Sequence, residues 1–154
     1  MKPILFLLFL PILTISGCSN SKISSSNLAK QGISGTVTET SGNQMPMKGA
    51  PKKMTKNIQC TVLVYEPTTI ADTEPNETAA FYTAIHTKQI AAVETDSTGQ
   101  FKVNLPIGKY SLFIKIGDRF YANLYDQFNQ IALFEVLPNA YTAANLKLNR
   151  SATY

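Results

Sequence analysis

TDSTGQFKVNLPIGKYSLFIK, residues 95–115, holds two strand-forming runs framed by turn signals. Asp96 opens a turn and Gly99 closes it, at a position where a positive φ costs glycine little. Phe101, Val103 and Leu105 then alternate with Gln100, Lys102 and Asn104, the period of a half-buried strand. Pro106 has no N–H to give a ladder and Gly108 lets the chain reverse, so a turn is predicted there. Tyr110, Leu112, Ile114 and Ile116 share one face of the strand that follows. The pattern predicts a β-hairpin that directs Phe101 and Tyr110 into a common core.

Further short strands flank this unit. Residues 32–39, GISGTVTE, place Ile33, Gly35 and Val37 on one side, and a glycine inside a strand signals a close backbone approach or a bulge. Residues 58–65, IQCTVLVY, are apolar on both faces and read as a central strand. Segments 89–94, 118–125, 131–136 and 141–148 complete the pattern, while 79–85 fits a short helix capped by Asn76 or an extended segment. Seven or eight short strands with turn residues between them predict an all-β antiparallel sandwich over 32–150. No pattern of a parallel sheet, internal repeat or coiled coil is visible.

Two long connections carry opposite charge. Residues 40–57 contain Lys48, Lys52, Lys53 and Lys56 with Met45, Met47 and Met54, whereas 66–78 contain Glu66, Asp72, Glu74 and Glu77. Because one strand separates them, they are expected at opposite ends of the sandwich, about 25 Å apart at the rise of a strand.

The chain has 154 residues, 44% of them hydrophobic, enough for one domain with a true core. Its net charge of +4 is too mild for a nucleic-acid footprint. Residues 1–17 have Lys2 followed by an apolar run from Ile4 to Ile15, the layout of an export signal and too short to span a bilayer comfortably. Ile15-Ser16-Gly17-Cys18 resembles the lipobox of bacterial lipoproteins. That resemblance implies cleavage before Cys18 and lipid attachment to Cys18. Ser19 after it implies sorting to the outer membrane. Residues 19–31 hold five serines and no apolar period, so residues 18–31 read as a lipidated cysteine and tether, with a reach of roughly 20 Å.

The strand 32–39 and the 95–115 unit together resemble carboxypeptidase regulatory-like domains, which are small transthyretin-like (prealbumin-like) β-sandwiches of bacterial envelope proteins. The matching positions are Gly35 and Val37; Thr95, Asp96, Gly99 and Phe101; and Leu105, Pro106, Gly108 and Tyr110. The resemblance implies a structural motif without catalysis or cofactor. The long Lys- and Met-bearing loop departs from the family pattern.

Candidate chemistry is sparse. His86 has no Cys, Asp or Glu at metal-ligand spacing, so no metal site is expected. With Cys18 acylated, Cys60 has no partner within the chain and reads as a buried, inert thiol. No nucleophile-elbow pattern accompanies the serines. The expected function is a non-catalytic, lipid-anchored envelope module binding a protein or peptide, with glycan binding as the alternative. The partner-binding candidates are Lys48, Lys52, Lys53 and Met54 in the long loop, and Tyr121 and Tyr125 in an aromatic run with Phe120 and Phe128. For a glycan, Tyr141 joins Tyr121 and Tyr125.

Overall fold

The computed structural model describes residues 30–43, 54–77 and 80–153. These form an all-β sandwich of a five-stranded and a seven-stranded sheet, with one 3-10 turn at Ile70–Asp72. The first sheet is built on one long strand, β1 (Gly32–Asn43). The N-terminal half of β1 lies between β7 (Gln100–Asn104) and β11 (Tyr141–Ala143), and its C-terminal half lies between β2 (Met54–Asn57) and β12 (Leu146–Thr153).

The second sheet runs β4 (Thr73–Pro75), β5 (Phe81–Ile85), β9 (Arg119–Tyr121), β8 (Gly108–Ile116), β3 (Thr61–Tyr65) and β6 (Gln89–Glu94). β10 (Leu133–Val136) pairs with the early part of β8. Ile33, Val37, Phe101, Leu146 and Leu148 from the first sheet meet Val62, Val64, Leu112 and Ile114 from the second in the main core.

The sandwich holds as expected, with twelve strands among the described residues in place of seven or eight. Several local expectations change. β7 and β8 do not pair: β7 hydrogen-bonds to β1, and β8 to β3, β9 and β10. Residues 105–107 are therefore an arch between sheets, not a hairpin turn. Alternation within each run shows which face is buried but not which strand lies alongside, so both readings fit the same pattern. Phe101 and Tyr110 are both buried, reaching the core from opposite sheets. The Tyr110 hydroxyl donates to the Pro106 carbonyl at 3.2 Å and closes the arch.

β1 pairs in parallel with both β11 and β12, although every other strand pair is antiparallel. The connection that allows this is not local, which is why the 141–148 segment gives no sign of it. That segment is also interrupted. β11 ends at Ala143 and β12 begins at Leu146, with Ala144 lying against Gly35.

The expected close approach at Gly35 is present: a Cβ there would lie 1.8 Å from the Ala144 carbonyl oxygen. Residues 58–60 carry the chain from one sheet to the other, so β3 starts at Thr61. Thr95 secures that crossing. Its buried hydroxyl donates to the Ile58 carbonyl at 3.0 Å and accepts from the Cys60 N–H at 2.8 Å. Of the 66–78 loop, Thr73–Pro75 is a strand and Ile70–Asp72 a 3-10 turn, and Phe81–Ile85 is extended. The 118–125 run is a strand only over Arg119–Tyr121.

The Asp96 turn is tightly organised. Asp96 Oδ1 accepts from Thr98 Oγ1 at 2.7 Å and from the Thr98 and Gln100 N–H groups at 2.8 and 2.9 Å, and Gly99 adopts φ +73°. The Thr98 hydroxyl, then the Gln100 N–H, hold the Asp96 carboxyl below the ordinary carboxylate range.

Gly35→Ala is expected to destabilise the sandwich by about 3 kcal/mol, since the methyl meets backbone that cannot swing aside; a urea midpoint measures it. An acid titration tests the turn. A carboxyl depressed on folding stabilises fully above its unfolded pKa, here 3.8, and that contribution disappears as pH falls further through the folded value. Asp96→Asn should therefore lose stability at neutral pH and show a shallower decline below pH 3.8.

Candidate functional site

The seven-stranded sheet has a second apolar face. Leu63, Tyr65 and Phe113 point away from the main core and are covered by Tyr82, Ala122, Ile131 and Ala132. Tyr65 and Tyr82 meet Phe113 edge-on, at centroid separations of 5.5 and 5.8 Å. The cover is the 122–132 connection between β9 and β10, bonded to the sheet through Leu112 N–H to Ala132 O at 3.1 Å and to the connection after β3 through Ile131 N–H to Thr68 O at 2.8 Å. Ala132 holds φ +42°, a conformation that costs a non-glycine residue and is kept by these bonds.

At the outer edge of this cover, Asp126 repeats the Asp96 turn. Its Oδ1 accepts from the Phe128 and Gln130 N–H groups at 2.8 and 2.9 Å, and its own carbonyl accepts from Asn129 N–H at 3.2 Å. Asn129, at φ +60°, takes the place of Gly99. Asn is the side-chain-bearing residue that best tolerates this region.

The loop thus presents apolar side chains from a fixed backbone. Phe128 is 68% exposed and Tyr125 48% exposed; Leu124 and Ile70 are exposed beside them, and Ile70 N–H donates to the Asn129 carbonyl at 3.1 Å. A shallow groove of about 220 Å³ lined by Leu124, Tyr125, Gln130, Leu133 and Phe134 runs along it. The Tyr125 hydroxyl lies 2.6 Å from that of Tyr82 and 3.3 Å from the Ala122 carbonyl, so the ring is anchored at its polar end. Burial, then the contact with Tyr125, drives the Tyr82 phenol well above its ordinary pKa, so it stays protonated.

Of the residues singled out in the sequence, Tyr125 belongs to this surface and Tyr121 does not. Tyr121 is 3% exposed, packs its ring on Phe81 at 4.9 Å, and accepts the Asn149 N–H at 3.1 Å. The correction follows from alternation: on β9, Phe120 faces the outer cluster and Tyr121 the main core. Tyr141 is occupied as well, with Lys102 Nζ 3.9 Å from its ring centroid and its hydroxyl on Asn104 Oδ1 at 2.6 Å. Cys18, Lys48, Lys52 and Lys53 lie outside the described residues. Met54 is exposed at the start of β2, and Lys56 Nζ pairs with the buried Glu39 carboxylate at 3.1 Å.

Leu124 has no mark in the sequence that sets it apart from a core residue of the 118–125 run, and Ile70 is a lone apolar residue in the acidic connection. The loop itself had a signal, because Asp126-Gln127-Phe128-Asn129-Gln130 parallels Asp96-Ser97-Thr98-Gly99-Gln100.

Elsewhere, burial raises the Cys60 thiol above its ordinary pKa, and the Thr95 hydroxyl offsets this only in part, so the thiolate is disfavoured. His86 Nε2 faces Glu74 at 3.4 Å with both side chains exposed. Among the described residues no group of three His, Cys, Asp or Glu side chains converges on a metal position. No helix among them is long and apolar enough to cross a membrane.

Phe128→Ser should leave the unfolding free energy, read by urea titration, within about 0.5 kcal/mol of wild type, as for an exposed loop residue. Tyr125→Phe should cost about 1 kcal/mol by leaving the buried Tyr82 hydroxyl without its partner. The pair of measurements separates presentation from support. No family model, curated protein or solved structure matches this chain.

Proposed function

We propose that this protein is a non-catalytic, lipid-anchored module of the bacterial cell envelope that binds a protein or peptide through the 122–132 loop. The carrying observation is the exposure of Phe128, Tyr125 and Leu124 on a backbone already fixed by Asp126 and the Tyr82–Tyr125 hydroxyl contact. Aromatic side chains held this way lose little conformational freedom on binding, which is what lets a few residues carry most of an interface. Exposed polar rims at Asp126 and Gln127 suit a moderate interface.

The lipobox-like Ile15-Ser16-Gly17-Cys18 supports attachment through Cys18 and, with Ser19, an outer-membrane location. The resemblance to carboxypeptidase regulatory-like domains supports an accessory, non-enzymatic role. A raised Cys60 pKa and an exposed His86 paired with Glu74 supply no activated nucleophile. A protein partner is favoured over a glycan because Tyr121 is buried and one face of Tyr141 is taken by Lys102. The lysines at 48, 52 and 53 suit an acidic region of such a partner.

A photo-reactive amino acid placed at position 128 in intact cells tests this reading. The expected result is one reproducible protein adduct that disappears with Leu124→Ser and persists with a probe-neutral change such as Asp118→Asn. Absence of any protein adduct at 128 overturns it, and capture of glycan alone supports the carbohydrate alternative.

A further inference from the structure

The chain joins the sandwich between two loops at one end. The Gln31 carbonyl accepts from Leu105 N–H at 3.3 Å, its side-chain Nε2 donates to the Leu105 carbonyl at 3.4 Å, and its Oε1 accepts from Asn139 N–H at 3.2 Å. The 105–107 and 137–140 loops are thereby clamped to the residue that leads in from the N-terminal segment. Each loop exposes one large aliphatic side chain, Ile107 at 61% and Leu137 at 53%.

Both residues lie one step beyond the last pair of the same ladder. The β8–β10 ladder ends with Val136 opposite Gly108, and one further step of the antiparallel register sets Leu137 across from Ile107. β3 pairs with β8 only from Ser111 onward, so Ile107 stands about 13 Å beyond the end of β3 at the usual strand rise. Exposed Pro106 and Pro138 precede and follow in the same two loops and present no N–H to a partner strand. The tip is therefore apolar and closed to ladder formation.

The charges at this end favour lysine. Lys30 adjoins the clamp, Lys109 lies opposite Glu135 on the β8–β10 ladder, Lys102 pairs with Ser34 near the start of β1, and the Lys88 carbonyl accepts from Glu66 N–H. All six of these charged side chains are exposed, four basic against two acidic.

What covers such a tip is set by the chain that precedes it. Cys18 lies twelve residues before Lys30, and a serine-rich tether of that length, as the composition of 19–31 reads, has a root-mean-square span of about 20 Å. β1 is 12 residues long, so the two ends of the sandwich differ in position by about 40 Å. The end carrying Ile107 and Leu137 is the one from which the chain runs back toward Cys18, so at that root-mean-square span it is the end held nearer a surface holding Cys18.

We infer that this tip is a lipid-contact site: Ile107 and Leu137 seat in the headgroup–acyl boundary while the flanking lysines meet anionic headgroups. The inference rests on the lipid-anchor reading given under the proposed function. It fixes the domain's orientation as well as its distance. Asn43 and Met54, where the lysine-bearing connection departs and returns, then stand at the end of β1 facing away from the bilayer.

The test uses the full lipidated chain with Cys60→Ser and single cysteines for an environment-sensitive fluorophore at Ile107→Cys, Leu137→Cys, Asp118→Cys or Phe128→Cys. Each is reconstituted in phosphatidylethanolamine–phosphatidylglycerol vesicles with brominated or ordinary acyl chains. Probes seated 5–10 Å into the boundary should lose about half their emission at 107 and 137, and those at 118 and 128 should be unaffected. Uniform quenching, or none at 107 and 137 in a chain that floats with the vesicles, overturns the lipid contact alone. If Cys18→Ala leaves cellular membrane fractionation unchanged, the anchor reading fails and the lipid contact fails with it.

Discussion

The sandwich depends on the absence of a side chain at residue 35. β1 supplies ladder partners to four other strands, and the exchange from one set of neighbours to the next occurs around Gly35, where the Ala144 carbonyl presses against the backbone. With that approach permitted, Ile33 and Val37 both reach the core and β12 can continue alongside β1 after β11 has ended. A methyl group there would separate the two halves of the first sheet. The main core draws Leu146 and Leu148 from β12, so its packing weakens with that displacement.

The connections between sheets are held by side chains close to the crossing points. Thr95 ties Ile58 and Cys60, the Tyr110 hydroxyl ties Pro106, and Gln31 joins the 105–107 arch to the 137–140 loop. Each satisfies backbone groups that an ordinary ladder leaves open, which is the requirement at any place where a strand leaves one sheet for another. The same economy appears on the outer face. A repeat of the Asp96 turn at Asp126 gives the 122–132 connection a rigid edge, and its apolar residues are divided between covering Phe113 and meeting solvent.

That division gives the molecule two surfaces with separate roles in the proposed arrangement. The aromatic loop lies on the flank of the seven-stranded sheet, whereas the Ile107–Leu137 tip lies at the end where Gln31 is clamped. A protein bound at the flank and a bilayer at the tip do not compete for the same residues. Rigid anchoring serves both, since an interface built on ordered side chains loses less freedom when it closes.

The amino-acid order by itself determined the all-β class, the inward faces of β1, β7 and β8, the turn at Asp96 and a special backbone position at Gly35. These are consequences of side-chain alternation and backbone permissiveness, which act over a few residues. Tertiary structure alone decided which strands pair: that β7 and β8 part into different sheets, and that β11 and β12 run parallel to β1. It also decided that Tyr121 is core while Tyr125, Leu124 and Phe128 face solvent, because burial on a sheet with two covered faces depends on what the distant chain lays over it. Local pattern specifies a strand's faces, but its neighbours are chosen by contacts far along the chain.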